Sequence, residues 1–292
     1  MFITGENVSF RYTREKAVLD DVSFALHKSH TLSIVGASGC GKSTLLRIIS
    51  GILPNAKDNR LSGKVSINGQ TPDEYRRSGK LAFMFQESTL MPNLTVRQNI
   101  TLPLKIKGLE DNEKVNGLLR IVGLTDYADY LPKHLSGGMK TRVALARSFA
   151  TGPQLLLLDE PFSALDIAWK RNLYIELEKL REQYHTTVVF VTHDVQEALL
   201  LSNQLIVMSH TGRVKECHQV QSSKALVDRV YDIPGFMNEI YADYLIPIQS
   251  SIMSDGYKDS VSYKGKLPNH ESLTMAPEGK LKDEKASALR NT

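Results

Sequence analysis

The sequence predicts an α/β fold: a mostly parallel sheet with an antiparallel β subdomain beside it and an inserted helical subdomain. Three observations carry this. The runs Leu155-Leu156-Leu157-Leu158 and Val188-Val189-Phe190-Val191 have the unbroken hydrophobicity of strands buried on both faces of a parallel sheet. Charged helical sequence, Lys170 to Tyr184, lies between them. Earlier, Leu32-Ser33-Ile34-Val35 passes through a glycine-rich segment into a helical pattern from Ser43 to Ile49, giving strand, loop and helix in succession.

The remaining elements follow in chain order. Val8-Ser9-Phe10 and Val22 to Leu26 alternate apolar and polar residues around a charged turn at Arg14-Glu15-Lys16, which suits two antiparallel strands. Between Glu87 and Ala150 the pattern is mostly helical. Val115, Leu118, Leu119 and Val122 recur at i, i+3, i+4 and i+7, and Gly123 stands at the C-terminal cap position. This is the expected inserted subdomain, about 87–150. Leu205 to Met208, a turn at His210 to Arg213, and Val214 onward predict a closing hairpin, followed by a short helix around Lys224 to Tyr231. The folded module is expected to span 1–246. From 247 to 292 the chain is rich in Ser, Lys, Gly and Asp, a composition expected to form a flexible tail.

Composition narrows the function classes. The chain has 292 residues, 41% hydrophobic and 23% charged, the balance of a soluble globular protein. Its 36 basic against 32 acidic residues leave +4, too small a bias to imply a nucleic-acid partner, and none is expected. Cys40 and Cys217 have neither disulfide-framework nor zinc-ligand spacing, which favours a reducing cytoplasm. An acid at Glu6 interrupts the start before a leader-length apolar core, and no apolar run approaches the roughly 18 residues of a membrane span. The chain is expected neither to cross nor to enter a bilayer unaided.

The glycine-rich segment carries the first chemical signal. Gly36-Ala37-Ser38-Gly39-Cys40-Gly41-Lys42-Ser43 fits G-x-x-x-x-G-K-[ST] and is followed by Thr44, the phosphate loop of a P-loop NTPase core. Glycines let backbone N–H groups curl around a phosphate, and the following helix adds the positive end of its dipole. Lys42 reaches the β- and γ-phosphates, and Ser43 offers its hydroxyl to magnesium. ATP and Mg2+ are therefore the expected ligands. Cys40 is read as a small residue filling the loop.

Asp159 and Glu160 end the Leu155–Leu158 run, which delivers two carboxylates to the C-terminal end of a strand, where ligands gather in α/β sheets. Asp159 is expected to hold magnesium through water, and Glu160 to polarise the water that attacks the γ-phosphate. Leu135-Ser136-Gly137-Gly138-Met139 precedes a helix and reads on its own as a serine N-cap with glycines. His193 ends the second apolar run, and Asp194 with Glu197 suits the cap of the next helix.

Taken together, the phosphate loop, a later Leu-Ser-Gly-Gly, a leucine-rich strand ending Asp-Glu-Pro, Ser163-Ala164-Leu165-Asp166, and a strand ending in His193 resemble the nucleotide-binding subunit of ATP-binding-cassette transporters. The likeness covers residues 1 to about 220. It implies that Tyr12 stacks on adenine, that Gln86 senses magnesium and the attacking water, and that His193 contacts the γ-phosphate. It further implies that Asp166 communicates across a dimer and that Ser136, Gly137 and Gly138 face the partner protomer's triphosphate. Two chains, either copies of this one or homologous subunits, would then enclose two ATP molecules head to tail. A separate integral-membrane permease is implied as a partner, with a periplasmic or surface solute-binding protein as a further one, and the cytoplasmic face of the cell membrane as the location.

Met139 and Thr141 replace glutamines that many relatives carry, and Met at that place resembles the nitrate, sulfonate and taurine importer group. Glu87 to Val96 resembles that group's coupling region, with Asn93 where tryptophan is frequent, and the loop Asn55 to Ser62 is longer than usual. The alternatives are a soluble cassette ATPase acting on nucleic acid or ribosomes, and an exporter subunit. Only 94 positions separate Lys42 from Ser136, with no sustained heptads, unlike the long coiled coils of DNA-repair relatives.

Overall fold

A computed structural model describes residues 1–13, 17–53, 60–163, 165–220, 228–229, 232–240 and 245–254. The turn at 14–16, most of the 55–62 loop, most of the expected 224–231 helix and the chain beyond 254 lie outside the described residues.

Two sheets form the frame. β1 (Ile3–Arg11) pairs antiparallel with β2 (Ala17–Leu26) and with β4 (Leu61–Ile67), in the order β2-β1-β4. The second sheet contains β3 (Thr31–Gly36), β5 (Leu81–Met84), β6 (Leu155–Asp159), β7 (Thr187–Val191), β8 (Gln204–Met208) and β9 (Val214–Gln219). Its order is β5-β6-β7-β3-β8-β9; neighbours are parallel until the closing antiparallel β8–β9 hairpin. Both the opening antiparallel pair and the closing hairpin match the sequence expectation.

The unbroken apolar runs serve two cores at once, because successive strand residues point to opposite faces. Leu156 and Leu158 enter one cluster with Val188 and Phe190, while Leu155 and Leu157 enter the other with Val189 and Val191. The second cluster also takes Leu45, Leu46, Ile48 and Ile49 of α1 (Lys42–Ile49), together with Val8, Phe10 and Val22 of the antiparallel sheet. On the other face lie α3 (Val96–Ile106), α4 (Asn112–Ile121) and α5 (Gly137–Phe149), the inserted helices, with α6 (Ile167–Tyr184) and α7 (Val195–Leu201). α2 (Pro72–Arg77), which connects β4 to β5, starts at a Thr71/Glu74 capping box with Pro72 in its first turn.

The helical chain continues past the expected end of the module at Pro247. After α8 (Ile233–Ile240), α9 (Ile246–Ser254) buries Ile248 and Ser251, and Lys215 Nζ of β9 donates to the Ser251 carbonyl at 2.8 Å. Proline cannot donate, but in the first turn no N–H is needed, so Pro247 lies at the start of this helix and does not end the fold. Ile248 and Ile252, one turn apart, supply the apolar contact.

Candidate functional site

The order β5-β6-β7-β3 sets the C-terminal ends of four parallel strands side by side, and each end delivers part of a site. β3 ends at Gly36 and leads into the phosphate loop, which closes at the start of α1. Gly41 has φ +102°, and a Cβ there would lie 2.7 Å from the Val18 carbonyl oxygen, so glycine is required both by conformation and by the close approach of β2. Above Gly39, φ +77°, no atom lies within 4 Å of such a Cβ. The loop is thus packed beneath and open above. Lys42 is 6% exposed, and its Nζ donates to the carbonyls of Gly36 at 2.8 Å and Ala37 at 2.9 Å, which holds the ammonium across the loop. Ser38 and Gly39 are exposed, while the Cys40 side chain is buried beneath, as expected of a loop-filling residue.

Ser43, one residue further, donates its hydroxyl to Asp159 Oδ1 at 2.7 Å. Asp159 is 1% exposed at the end of β6. Burial pushes its carboxyl up from the usual range; the Ser43 hydrogen bond and the nearby Arg47 and Lys42 charges oppose that.

Glu160 follows at φ +48°, a left-handed conformation that costs a non-glycine residue about 1 kcal/mol or more. Its N–H donates to the Val191 carbonyl of β7 at 3.0 Å, which holds the kink in place. The kink turns the carboxylate toward the neighbouring strand ends. Glu160 Oε2 accepts from Gln86 Nε2 at 3.2 Å and lies 3.6 Å from His193 Nδ1. Gln86 stands two residues beyond β5 and His193 two beyond β7. Three residues separated by up to 107 positions therefore meet at the ends of β5, β6 and β7.

Tyr12 is brought to the head of α1: its hydroxyl lies 3.2 Å from Thr44 Oγ1, and its ring packs edge-on to Phe10 with centroids 4.9 Å apart. Tyr12 is 45% exposed, so its side chain is accessible to a planar group. Ser136 N-caps α5, its hydroxyl accepting from the Met139 N–H at 3.3 Å. Gly137 and Gly138 open that helix. Among the described residues, no hydrogen bond joins Ser136, Gly137 or Gly138 to the phosphate loop, Asp159, Glu160, Gln86 or His193. Asp166 caps α6, accepting from the Trp169 N–H at 3.0 Å.

One expectation is corrected. Asp194 does cap α7, accepting from the Gln196 and Glu197 N–H groups at 2.9 and 3.3 Å, but Glu197 does not return a cap bond. Its carboxylate turns inward to Lys170, Tyr174 and Thr192, because burial there is satisfied by three donors. Sequence reasoning also missed Arg142, whose guanidinium lies 3.9 Å from the Trp169 ring centroid and donates to the Val122 carbonyl at 2.8 Å.

Comparison with known proteins decides the family. A family model for the ABC transporter matches residues 19–163. The aliphatic sulfonates import ATP-binding protein of Bacillus cereus is 42% identical over 199 residues, 68% of this chain and 76% of that protein. The chain belongs to the ABC transporter family. Within the ABC family, the sulfate/thiosulfate import ATP-binding protein of Synechococcus elongatus is 38% identical over 245 residues, 82% of this chain and 68% of that protein. Among solved ABC structures, a dimeric ATP-binding cassette in a post-hydrolysis state bound to ADP and Pi is similar with a TM-score of 0.67 and 31% identity. It aligns with 75% of this chain and 99% of its own. An ATP-binding subunit of an ABC transporter is similar with a TM-score of 0.69 at 25% identity, over 87% of this chain and 100% of its own. This ABC cassette is thus an ATP-binding ATPase subunit of P-loop fold.

Proposed function

We propose that this chain hydrolyses ATP at the four strand ends, as one of two cassettes that close around two ATP molecules, and that opening and closing drive a separate integral-membrane permease for import. The observation that carries the reading is the meeting of Gln86, Glu160 and His193 next to Asp159 and Ser43. In this arrangement Tyr12 stacks on adenine, while the loop from Gly36 through Thr44 and Lys42 binds the phosphates. Glu160 takes the proton of the attacking water as its oxygen bonds to the γ-phosphorus. The bond to the bridging oxygen breaks, and ADP and phosphate leave. Gln86 orients that water, and His193 holds the γ-phosphate.

The donor set suits magnesium: Ser43 and Asp159 offer oxygens 2.7 Å apart, Gln86 carries a third beyond the adjacent strand β5, and magnesium needs few protein ligands beside phosphates and water. When bound, it supplies charge neutralisation at the phosphate oxygens. Ser136, Gly137 and Gly138 form the N-terminus of α5, which suits recognition of the triphosphate held by a second cassette, and Asp166, the N-cap of α6, is assigned to the same dimer contact.

A cavity of about 260 Å3 between β5, α3 and α5, lined by Leu81, Phe83, Pro103, Ile106, Lys107 and Arg147, supports the permease assignment. Arg147 also donates to the Thr89 carbonyl at 2.8 Å, fixing the segment after Gln86 to the cavity wall. Among the described residues no helix is long and apolar enough to cross a membrane. The chain would act peripherally at the cytoplasmic face. The sulfonate and sulfate relatives favour a small sulfur-containing anion as the solute, delivered by a solute-binding protein.

The test is Glu160→Gln. It should retain ATP binding, accumulate an ATP-dependent dimer on size exclusion, and lose about a hundredfold or more in turnover. Wild-type-like hydrolysis would remove Glu160 from its assignment, and ATPase stimulated by nucleic acid but not by a permease would overturn the transport reading.

A further inference from the structure

We propose that Glu197 is a positioning residue for His193 and that it fixes the His193 strand end to α6, the helix that begins at Asp166. This rests on the reading of His193 as a γ-phosphate contact.

The geometry is a buried hub. Glu197 is 6% exposed on α7, and its carboxylate takes three donors from two other elements. Oε2 accepts from Thr192 Oγ1 at 2.8 Å, and Oε1 accepts from Lys170 Nζ at 2.6 Å and Tyr174 Oη at 2.8 Å. Lys170 and Tyr174 lie one turn apart on α6. Thr192 is the residue before His193, and its hydroxyl oxygen also accepts from the Asp194 N–H, the residue after, at 3.1 Å.

That hydroxyl therefore has its proton committed to Glu197 and a lone pair committed to Asp194, so the backbone on both sides of His193 hangs from one carboxylate. The His193 side chain itself is more than half exposed and lies 3.6 Å from Glu160 Oε2. Among the described residues no hydrogen bond holds its imidazole, so its placement depends on the backbone that carries it. Burial and the Glu197 charge both push the Tyr174 hydroxyl up, which keeps it a donor to this hub. A hydrophobic core at this place would need no carboxylate; the hub joins the two segments, 166–174 and 192–197, that flank the proposed γ-phosphate and dimer contacts.

The experiment uses the full chain, with its permease where turnover requires it, four variants of the hub and His193→Ala. Thr192→Val removes the hydroxyl at nearly constant shape, Thr192→Ser keeps it, Glu197→Gln keeps the shape but changes the hub's charge, and Thr192→Val is also combined with Glu197→Gln. Thr192→Val and Glu197→Gln should each lower kcat about tenfold or more with KM for ATP within about twofold, since a misplaced catalytic contact costs rate without costing ground-state binding. Thr192→Ser should restore kcat to within about twofold. The double variant should lose no more than the worse single one, because both remove the same link.

Kcat within twofold of wild type in both single variants overturns the proposal, as does a double variant whose loss is the product of the two. So does a loss of kcat that follows melting temperature across the series. If Glu197→Gln fails to fold, the Thr192→Val and Thr192→Ser pair decides alone. His193→Ala separates the two levels: wild-type-like turnover removes the γ-phosphate reading itself, whereas a defective His193→Ala beside intact Thr192→Val and Glu197→Gln removes only this inference.

Discussion

Ser43 Oγ donates to Asp159 Oδ1 across 2.7 Å, so the first turn of α1 is bonded to the end of β6. The carboxylate that receives this bond is almost fully buried, and burial raises its folded pKa above the unfolded value, against the opposing Ser43 bond and the Arg47 and Lys42 charges. A carboxyl raised on folding contributes its full stability below the unfolded pKa, near 3.9, and loses it as pH rises through the folded value. At neutral pH the ionised group thus works against the fold. Asp159→Asn should melt higher than wild type at pH 7.5, with the difference shrinking as pH is lowered toward 4, while magnesium-dependent turnover is lost. Thermal melts across that range check it; a lower melting temperature at pH 7.5 would contradict the sign.

Lys42 spans the phosphate loop through the carbonyls of Gly36 and Ala37, and it is the cation built into that loop. Replacing it by alanine removes a charge-assisted contact worth about 1.5–3 kcal/mol, roughly 10- to 150-fold in Kd for ATP. Calorimetric titration of Lys42→Ala should show that loss. An unchanged Kd would mean that the loop backbone and helix dipole bind the phosphates without the lysine.

Gly123 carries φ +63°, and a Cβ there would lie 2.3 Å from Trp169 Cη2 and 2.8 Å from Cζ3. The ring cannot retreat freely, because Arg142 packs on it at 3.9 Å. Gly123→Ala should destabilise by about 1–3 kcal/mol through overpacking and the left-handed backbone together. At about 2–4 °C per kcal/mol this is visible in a thermal melt. Trp169 is the chain's single tryptophan, so the emission maximum of the variant should also shift. A variant with wild-type melting and emission would show that the ring is not clamped as described.

The parts of the site that sequence made legible are those whose chemistry fixes local spacing. The phosphate loop needs its glycines and Lys42 within eight residues, and the Asp159-Glu160 pair must follow a buried strand, so both could be read without tertiary information. Gln86 and His193 were placed only through likeness to a family, since a glutamine or histidine at a strand end has no local signature. Glu197 was read as a cap partner because Asp194 at i−3 suits one; its true donors, Lys170 and Tyr174, lie on another helix and are joined to it only by folding. α2 was not predicted although its Thr71/Glu74 box with Pro72 was present, a six-residue helix being too short for a periodic signal. α9 has no legible signal because its apolar residues border a serine-rich polar stretch, and Ile248 is buried only through the core cluster it joins on folding.

Glu178 and Arg181, one turn apart on α6, form a buried ion pair that tests how far such a pair stabilises this fold. Arg181 Nε lies 2.8 and 2.9 Å from the two Glu178 oxygens, its Nη2 also bonds Glu178, and its Nη1 donates to the Ser29 carbonyl before β3. Glu178 is 2% and Arg181 8% exposed. Burial raises the Glu178 carboxyl more than Arg181 lowers it, which places the pair near the point where desolvation cancels attraction. Removing Glu178 leaves Arg181 only the half-exposed Glu182, 3.7 Å away, as a counter-charge, so Glu178→Leu alone should cost about 3 kcal/mol in urea unfolding. Replacing both, Glu178→Leu with Arg181→Met, should recover most of that loss, leaving chiefly the unmade bond to Ser29, about 1 kcal/mol. If the double variant is as unstable as the single one, the pair holds α6 to the β2–β3 connection by attraction that apolar packing cannot replace.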